Sequence, residues 1–295
     1  FRERFGAEIG FERAGYLFLL DNDADRASFR AALALQHSLG VPSRELTVAD
    51  VAEVLPQLET ADLVAATFCP LDGYATPEAV VAAYAEAARA RGVRIRQGEP
   101  VERIRVLGGR VLGVATRSTE IVTNTVVCAA GAWSREVARL AGVDVPVQPE
   151  PRQMHYTPEG GGLPHPLPLT IDFTSGFYFH SEGPGLVFGG RERSLEELAP
   201  VATRRLPLLG DLPVQSTWEG FYEMSPDHNA IVGETAEPSR FLYATGFSGH
   251  GFQQSPAVGE HIAERVAGVT PSLDLSAFSL DRFAHGQARR EQFVI

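Results

Sequence analysis

The sequence predicts an α/β (α+β mixed) fold, in which a doubly wound domain is paired with a second domain built on an antiparallel sheet. Residues 71–146 read helix, strand, hairpin, strand, glycine turn, helix, the order of the second half of a doubly wound fold. Strand, glycine turn and helix return over 219–268. Between them, residues 147–218 are rich in proline and glycine, with aromatic residues alternating along short strands, as a partly open antiparallel sheet requires. A chain of 295 residues also has length enough for about two domains.

The elements follow in order. Residues 15–20 make an apolar strand and 24–39 a helix. Thr47 stands where its hydroxyl can cap a helix starting at Val48. Pro77 opens an alanine-rich helix over 77–91, at a position where its missing N–H is no loss, and Gly92 ends it. A short strand is expected at 93–97, a hairpin from 101–106 and 110–116 around Gly108 and Gly109, and a strand through 120–129. Small residues then lead into a helix over 134–141, which Ser134 can cap. Residues 173–180 and 185–190 read as strands, and because i and i+2 share a sheet face, Tyr178 and His180 point the same way. An apolar strand at 241–244 runs into a loop with Gly246, Gly249 and Gly251, then into a helix ending near Ala267. The residues from 269 onward read as a tail packing on the surface.

Composition removes several classes of function. With 44% hydrophobic and 21% charged residues, the chain has the balance of a soluble globular protein. Its apolar runs fall far short of the roughly 20 residues of a membrane span. A net charge of −11 argues against nucleic acid, whose phosphates require clustered positive charge. Cys69 and Cys128 each lie in an apolar run, which suits buried thiols, a reducing cytoplasm, no disulfide framework and no metal site. The chain opens on Phe-Arg-Glu-Arg-Phe-Gly, without Met or a signal-peptide layout. All 26 basic residues are arginine, so Schiff-base chemistry, a Walker lysine and a lysine general base are excluded.

The most informative run is Tyr243-Ala-Thr-Gly-Phe-Ser-Gly-His-Gly-Phe-Gln-Gln-Ser-Pro-Ala-Val-Gly259. It gathers backbone N–H groups and the positive end of a helix dipole, a combination suited to phosphate or an electron-rich ring edge. Phe247, Ser248, His250 and Phe252, interleaved with the glycines, are more than a plain turn needs. In Val126-Val-Cys-Ala-Ala-Gly-Ala-Trp-Ser134, small side chains let the backbone approach a ligand closely. Two further motifs are Asp72-Gly-Tyr-Ala-Thr-Pro77 and Glu219-Gly-Phe-Tyr-Glu-Met-Ser-Pro-Asp-His-Asn-Ala-Ile-Val-Gly233. In order and spacing these motifs resemble the flavin amine oxidoreductases of the D-amino-acid oxidase superfamily. The branch is that of the sarcosine oxidases, glycine oxidase and the β subunits of sarcosine oxidase and L-proline dehydrogenase. The likeness covers roughly residues 10–270.

The resemblance implies FAD, held noncovalently, because Gly220 stands where some relatives attach flavin through cysteine. It divides the chain into a discontinuous FAD-binding domain (71–146 and 219–268), a substrate domain (1–70 and 147–218) and the tail (269–295). Val101 would lie against adenine, and Ala130, Gly131 and Trp133 would line the dinucleotide. Gly246, Phe247, Ser248, Gly249, His250, Gly251, Phe252 and Gln253 would follow the flavin ring edge and ribityl chain, where N–H donors stabilise the anion of the reduced ring. Tyr178, His180, Tyr222 and Met224 are candidates for the substrate pocket, with Gln253 beside them. Arg152 could pair with a substrate carboxylate or be a solvated arginine at a domain edge. The implied reaction is oxidation of the C–N bond of a small secondary amine or amino acid, similar to sarcosine, glycine or proline, by hydride transfer to flavin. Oxygen or an electron carrier then takes the electrons, and a hetero- or homo-oligomer is a further expectation.

Three departures qualify the resemblance. No strand-linked Gly-x-Gly-x-x-Gly occurs, which implies an N-terminally truncated chain that lacks the first βαβ unit and binds FAD weakly or not at all. Gln253 replaces the lysine that monomeric sarcosine oxidases use for the substrate carboxylate, a contact weaker by about 1 kcal/mol. No lysine exists to activate oxygen, which favours a dehydrogenase or oxygen-sluggish enzyme, or an oxidase using His180 or His250 as the cation. Two alternatives stay open. One is a noncatalytic subunit or assembly factor of the same fold, and the other a C–O-oxidising relative using Gly189-Gly-Arg-Glu-Arg193 for an anionic substrate.

Overall fold

The computed structural model describes residues 1–192 and 194–293. Their contacts cluster into two units, Phe1–Val93 with Arg152–Gly220, and Arg94–Pro151 with residues 221–293. In chain order the first 93 residues carry α1 (Arg2–Phe5), β1 (Tyr16–Leu20), α2 (Asp23–Ser38), β2 (Arg44–Leu46), α3 (Val48–Val54), β3 (Ala65–Cys69) and α4 (Pro77–Ala90). Next come β4 (Arg103–Leu107), β5 (Arg110–Ala115), β6 (Glu120–Val122), β7 (Val126–Cys128) and α5 (Ser134–Arg139). They are followed by β8 (Gln148–Thr157), β9 (Leu169–Asp172), β10 (Tyr178–Glu182), β11 (Gly185–Gly189) and α6 (Leu195–Arg205). The last are β12 (Ser216–Met224), β13 (Ile231–Glu234), β14 (Phe241–Thr245), α7 (Gly251–Ala267) and α8 (Asp281–Ala284).

The first unit is built on the eight-stranded sheet β12-β8-β11-β10-β9-β1-β3-β2. Strand β1 runs antiparallel to β3 and parallel to β9, so the sheet is mixed. Its apolar face packs Leu17, Leu19, Phe177, Phe179 and Phe188 against Val51, Leu55, Leu198 and Leu206 of the helices and their ends. Thr47 caps α3 as the sequence suggests, and Asp50 completes a capping box with it. Arg205 at the end of α6 is 1% exposed and bonds both Asp172 on β9, at 2.8 Å, and Asp62, at 2.7 Å. This ion pair fastens the helix to the sheet.

The second unit contains two three-stranded sheets, β13-β14-β7 and β4-β5-β6. Strand β14 pairs parallel with β7 and antiparallel with β13. Ile104, Val111, Cys128, Val145, Ile231, Phe241 and Tyr243 form one core, and Val232, Leu242 and Ile262 belong to a second. Helix α7 contains Pro256, which has no N–H to offer Phe252; the Ser255 hydroxyl donates to that carbonyl instead, at 2.9 Å.

Several expectations change. Residues 93–97 form no strand, since no described strand pairs with them, and Val93 and Ile95 lie exposed. The run 120–129 breaks into β6 and β7 where Thr123 turns to bond Thr125 in both directions. The expected strand at 173–180 begins only at Tyr178. Asp172 accepts from Ser175, and Gly176 at φ +77 closes a turn onto the Asp172 carbonyl. Ser134 is not a cap: Trp133 holds the cap position, and the Ser134 hydroxyl is fully buried within the helix. Helix α6 was unforeseen, since Pro200 and a proline-rich context disguised it. Segment 71–93, α4 included, clusters with the first unit. The tail does more than lie on the surface, for its Arg282 is 4% exposed and ion-paired.

Candidate functional site

Strand β14 ends at Thr245, and the chain then turns three times in four residues into the left-handed region, at Gly246 (φ +70), Ser248 (φ +50) and Gly249 (φ +93). Glycine is required at two of these positions for reasons of space as well as dihedral. A Cβ on Gly246 would press on Ile231 and Ser225 at 3.1 and 3.2 Å, and one on Gly249 would strike the Tyr222 ring at 2.9 Å. Ser248 carries a side chain at a dihedral that costs about 1–3 kcal/mol, and its contacts explain why it persists. It is fully buried; its N–H donates to the Glu223 carbonyl at 3.2 Å, its hydroxyl donates to the Gly246 carbonyl at 3.2 Å, and that hydroxyl accepts from Ser225 N–H at 3.1 Å.

Glu223 organises the same loop. Its carboxylate accepts the Thr245 hydroxyl at 2.7 Å and Phe247 N–H at 3.4 Å, and lies 3.8 Å from where a Gly131 side chain would begin. The Thr245 hydroxyl also reaches the Gly131 carbonyl at 3.3 Å. Three of the sequence motifs thus meet at Glu223: 126–134, 219–233 and 243–259. Sequence reasoning missed it, although an acid set between Phe221, Tyr222 and Met224 was a signal.

The amides of the loop do not all face outward. Those of Phe247, Ser248 and His250 bond Glu223 and Phe247 within the protein. The first turn of α7, which includes Gly251, Phe252 and Gln253, has N–H groups with no intrahelical partner, no side-chain cap and no acidic residue in that turn. This 17-residue helix therefore presents the positive end of its dipole with no acidic residue in its own first turn. Phe252 and Gln253 are exposed, and Gly131, at φ +56, lies beside Trp133, which is exposed and in edge contact with Phe221 at 6.0 Å. Ala130 is half-buried and Val101 lies exposed just before β4. Burial pushes the His250 imidazole below its ordinary value, and the nearby Glu291 charge works against that.

In the first unit, Tyr178 and His180 share one face of β10, with Phe179 buried on the other. The Tyr178 hydroxyl donates to the sulfur of Met154 at 2.8 Å. His180 stacks on Tyr74 with ring centres 4.6 Å apart, and its Nδ1 lies 2.8 Å from the Ser181 carbonyl. A carbonyl can only accept, so Nδ1 carries the proton and Nε2 is the bare nitrogen. Burial holds this imidazole below its ordinary value, favouring the neutral form. Tyr74 belongs to the 72–77 motif, yet its role as the platform for His180 was not legible there. Tyr222 and Met224, both half-buried on β12, belong with the loop in the second unit, and Arg152 is buried rather than solvated. In the basic run at 189–193, Arg191 reaches the carbonyls of Thr174 and Phe173, and Arg193 lies outside the described residues.

A parallel strand pair feeding a glycine loop and an uncapped helix defines a dinucleotide-binding class of protein. The sequence matches the family described as FAD dependent oxidoreductase (DAO) over residues 1–265, and the chain belongs to that family. It is 30% identical to the β subunit of sarcosine oxidase from Rhizobium meliloti, over 92% of this chain and 69% of that protein, and 29% identical to a hydrogen cyanide synthase subunit from Pseudomonas aeruginosa, over 95% of this chain and 70% of that protein. Human mitochondrial sarcosine dehydrogenase is 28% identical over 99% of this chain, which spans about a third of that protein, 35% of its length. The crystal structure of L-proline dehydrogenase from P. horikoshii superposes with a TM-score of 0.88 at 30% identity, covering 98% of this chain and 80% of that one.

FAD is the cofactor of the family. The second unit fits such a group: left-handed glycines at 131, 246 and 249 leave the backbone bare of side chains, and the first turn of α7 offers N–H groups with no intrahelical acceptor and no side-chain cap. No described helix is long and apolar enough to cross a membrane.

Proposed function

We propose that the protein oxidises the C–N bond of a small secondary amine or amino acid, using FAD held by the second unit. The observation that carries this reading is the uncapped start of α7 behind a left-handed glycine loop, in a chain of this family. When bound, FAD supplies the acceptor for the electron pair that leaves the substrate carbon as hydride. The chain's own residues divide the remaining work. Gly131, Gly246 and Gly249 would admit the cofactor to backbone contact, and the amides of Gly251, Phe252 and Gln253 would supply donors that stabilise negative charge on it. Ala130, Trp133 and Val101 would complete the dinucleotide contacts, while Phe247, Ser248 and His250 hold the loop in shape through their bonds to the protein.

Tyr178, His180, Tyr222 and Gln253 are assigned to the substrate. His180 has the chemistry for its task, since a neutral imidazole whose Nε2 is bare can accept a proton from a substrate ammonium. The amine must shed that proton before its neighbouring C–H bond can give up hydride. Gln253 offers a neutral amide where a cation would bind a carboxylate more tightly, so recognition of an acidic group falls to arginine. Oxygen or an electron carrier accepts the electrons afterwards.

Anaerobic addition of sarcosine, L-proline or glycine to the flavin-loaded protein tests the reading. Loss of the visible flavin absorbance with one of them supports it. A flavin that stays oxidised with all three, and with other secondary amines, would favour a noncatalytic subunit of the same fold.

A further inference from the structure

The C-terminal segment reaches the glycine loop through a chain of buried polar side chains. Arg282 Nε and Nη2 donate to the two carboxylate oxygens of Asp227, both at 2.8 Å. Its other N–H groups reach the carbonyls of Phe278, Ser279 and Asn229 at 2.7, 3.2 and 3.0 Å. All five guanidinium donors are thereby used. Asp227 Oδ1 also accepts from the Ser225 hydroxyl and from Asn229 N–H, each at 3.3 Å. Ser225 N–H donates in turn to the hydroxyl of Ser248, the one residue with a side chain held left-handed inside the loop. None of these four residues is more than 4% exposed, so water is not there to replace a lost partner.

The tail holds on at further points. Leu280 N–H donates to the Tyr243 hydroxyl on β14 at 3.0 Å, Asn229 donates to the Arg289 carbonyl at 2.7 Å, and Glu291 N–H to the Asp227 carbonyl at 2.8 Å. Residues 291 and 293 then lie close enough to act on the His250 ring.

We infer that Arg282 is a positioning residue for the 246–250 loop, and that residues 276–293 form a strap that sets the loop's geometry through Asp227, Ser225 and Ser248. A non-glycine residue stays in the left-handed region only where its surroundings fix it from several sides. Ser248 is fixed from β12 by Glu223, from within the loop by Gly246, and from the 225–229 turn by Ser225. The strap steadies that turn by pairing the Asp227 carboxylate. Its bearing on cofactor binding rests on the proposed assignment of the loop to FAD.

Hydrogen exchange on the full chain tests the strap without any cofactor. In Arg282→Gln, the amides of Phe247, Ser248 and His250 are expected to exchange roughly tenfold faster or more, with the β4–β5 hairpin unchanged. Ser225→Ala, which leaves the tail anchor intact, is expected to accelerate the same amides and serves if Arg282→Gln fails to fold. A loop that exchanges as before, or an equal acceleration in the hairpin, overturns the inference. Titration with FAD, followed by visible circular dichroism of the bound flavin, gives the second reading. Weaker binding with an altered flavin spectrum is expected in both variants. A loosened loop with unaltered affinity and spectrum would uphold the strap and overturn the loop's assignment to the cofactor.

Discussion

Gly249 is the residue at which sequence and structure agree most directly. Its dihedral and its closeness to the Tyr222 ring both forbid a side chain. Gly249→Ala should destabilise the protein by about 1–3 kcal/mol and weaken FAD binding more than tenfold, read by denaturant unfolding and flavin titration. Gly259→Ala is the contrast: it lies inside α7 with open space around it, so alanine should stabilise by about 0.5–1 kcal/mol in the same measurement. Glu223→Ala leaves the Thr245 hydroxyl and Phe247 N–H without their acceptor and should cost about 1–3 kcal/mol in the same unfolding experiment. The glycines were legible because the lack of a side chain is written in the sequence. Glu223 and the inward turn of Ser248 were not, because each depends on a partner more than 20 residues away in the chain.

At the level of elements, local chemistry fixed what local chemistry could. Thr47 and Asp50 start α3, Pro77 starts α4, and Gly108 with Gly109 turn the β4–β5 hairpin, as their residue types require. Elements that depend on a distant partner were misread. The run 93–97 has strand-forming residues but no strand beside it, and α6 is held in place by Arg205, whose partners Asp62 and Asp172 come from other segments. Arg205→Ala strands the Asp172 carboxylate, 2% exposed, without its cation, and should cost about 3–5 kcal/mol. Equilibrium unfolding in urea measures it, and a loss below 1 kcal/mol would mean that the pair does not anchor the helix.

Across the whole molecule, three histidines set the response to acid. His155, His180 and His250 are each held below their ordinary value, with burial as the leading cause. Unfolded histidines take up protons near pH 6.5 while the folded ones still resist, so the unfolded state binds more protons in that window. Stability should be full above about pH 6.5 and fall as the pH drops below it, and His180→Gln should shrink the fall in melting temperature between pH 7.5 and 5.5. Asp227 adds a second loss at lower pH. Burial raises its carboxyl but the Arg282 pairing outweighs this, so the contribution disappears as the pH falls below the ordinary 3.8 through its folded value. FAD at about a hundred times its dissociation constant should add about 2.7 kcal/mol of stability, seen as a higher melting temperature, if it binds only the folded chain. The sequence by itself determined the class of fold, the family and the glycine loop, because hydrophobic period, turn residues and missing side chains are local properties. Only the tertiary structure decided that Glu223 and Arg282 govern that loop and that Tyr74 backs His180, because hydrogen bonds and ring contacts are set by distance in space, which distance along the chain does not encode.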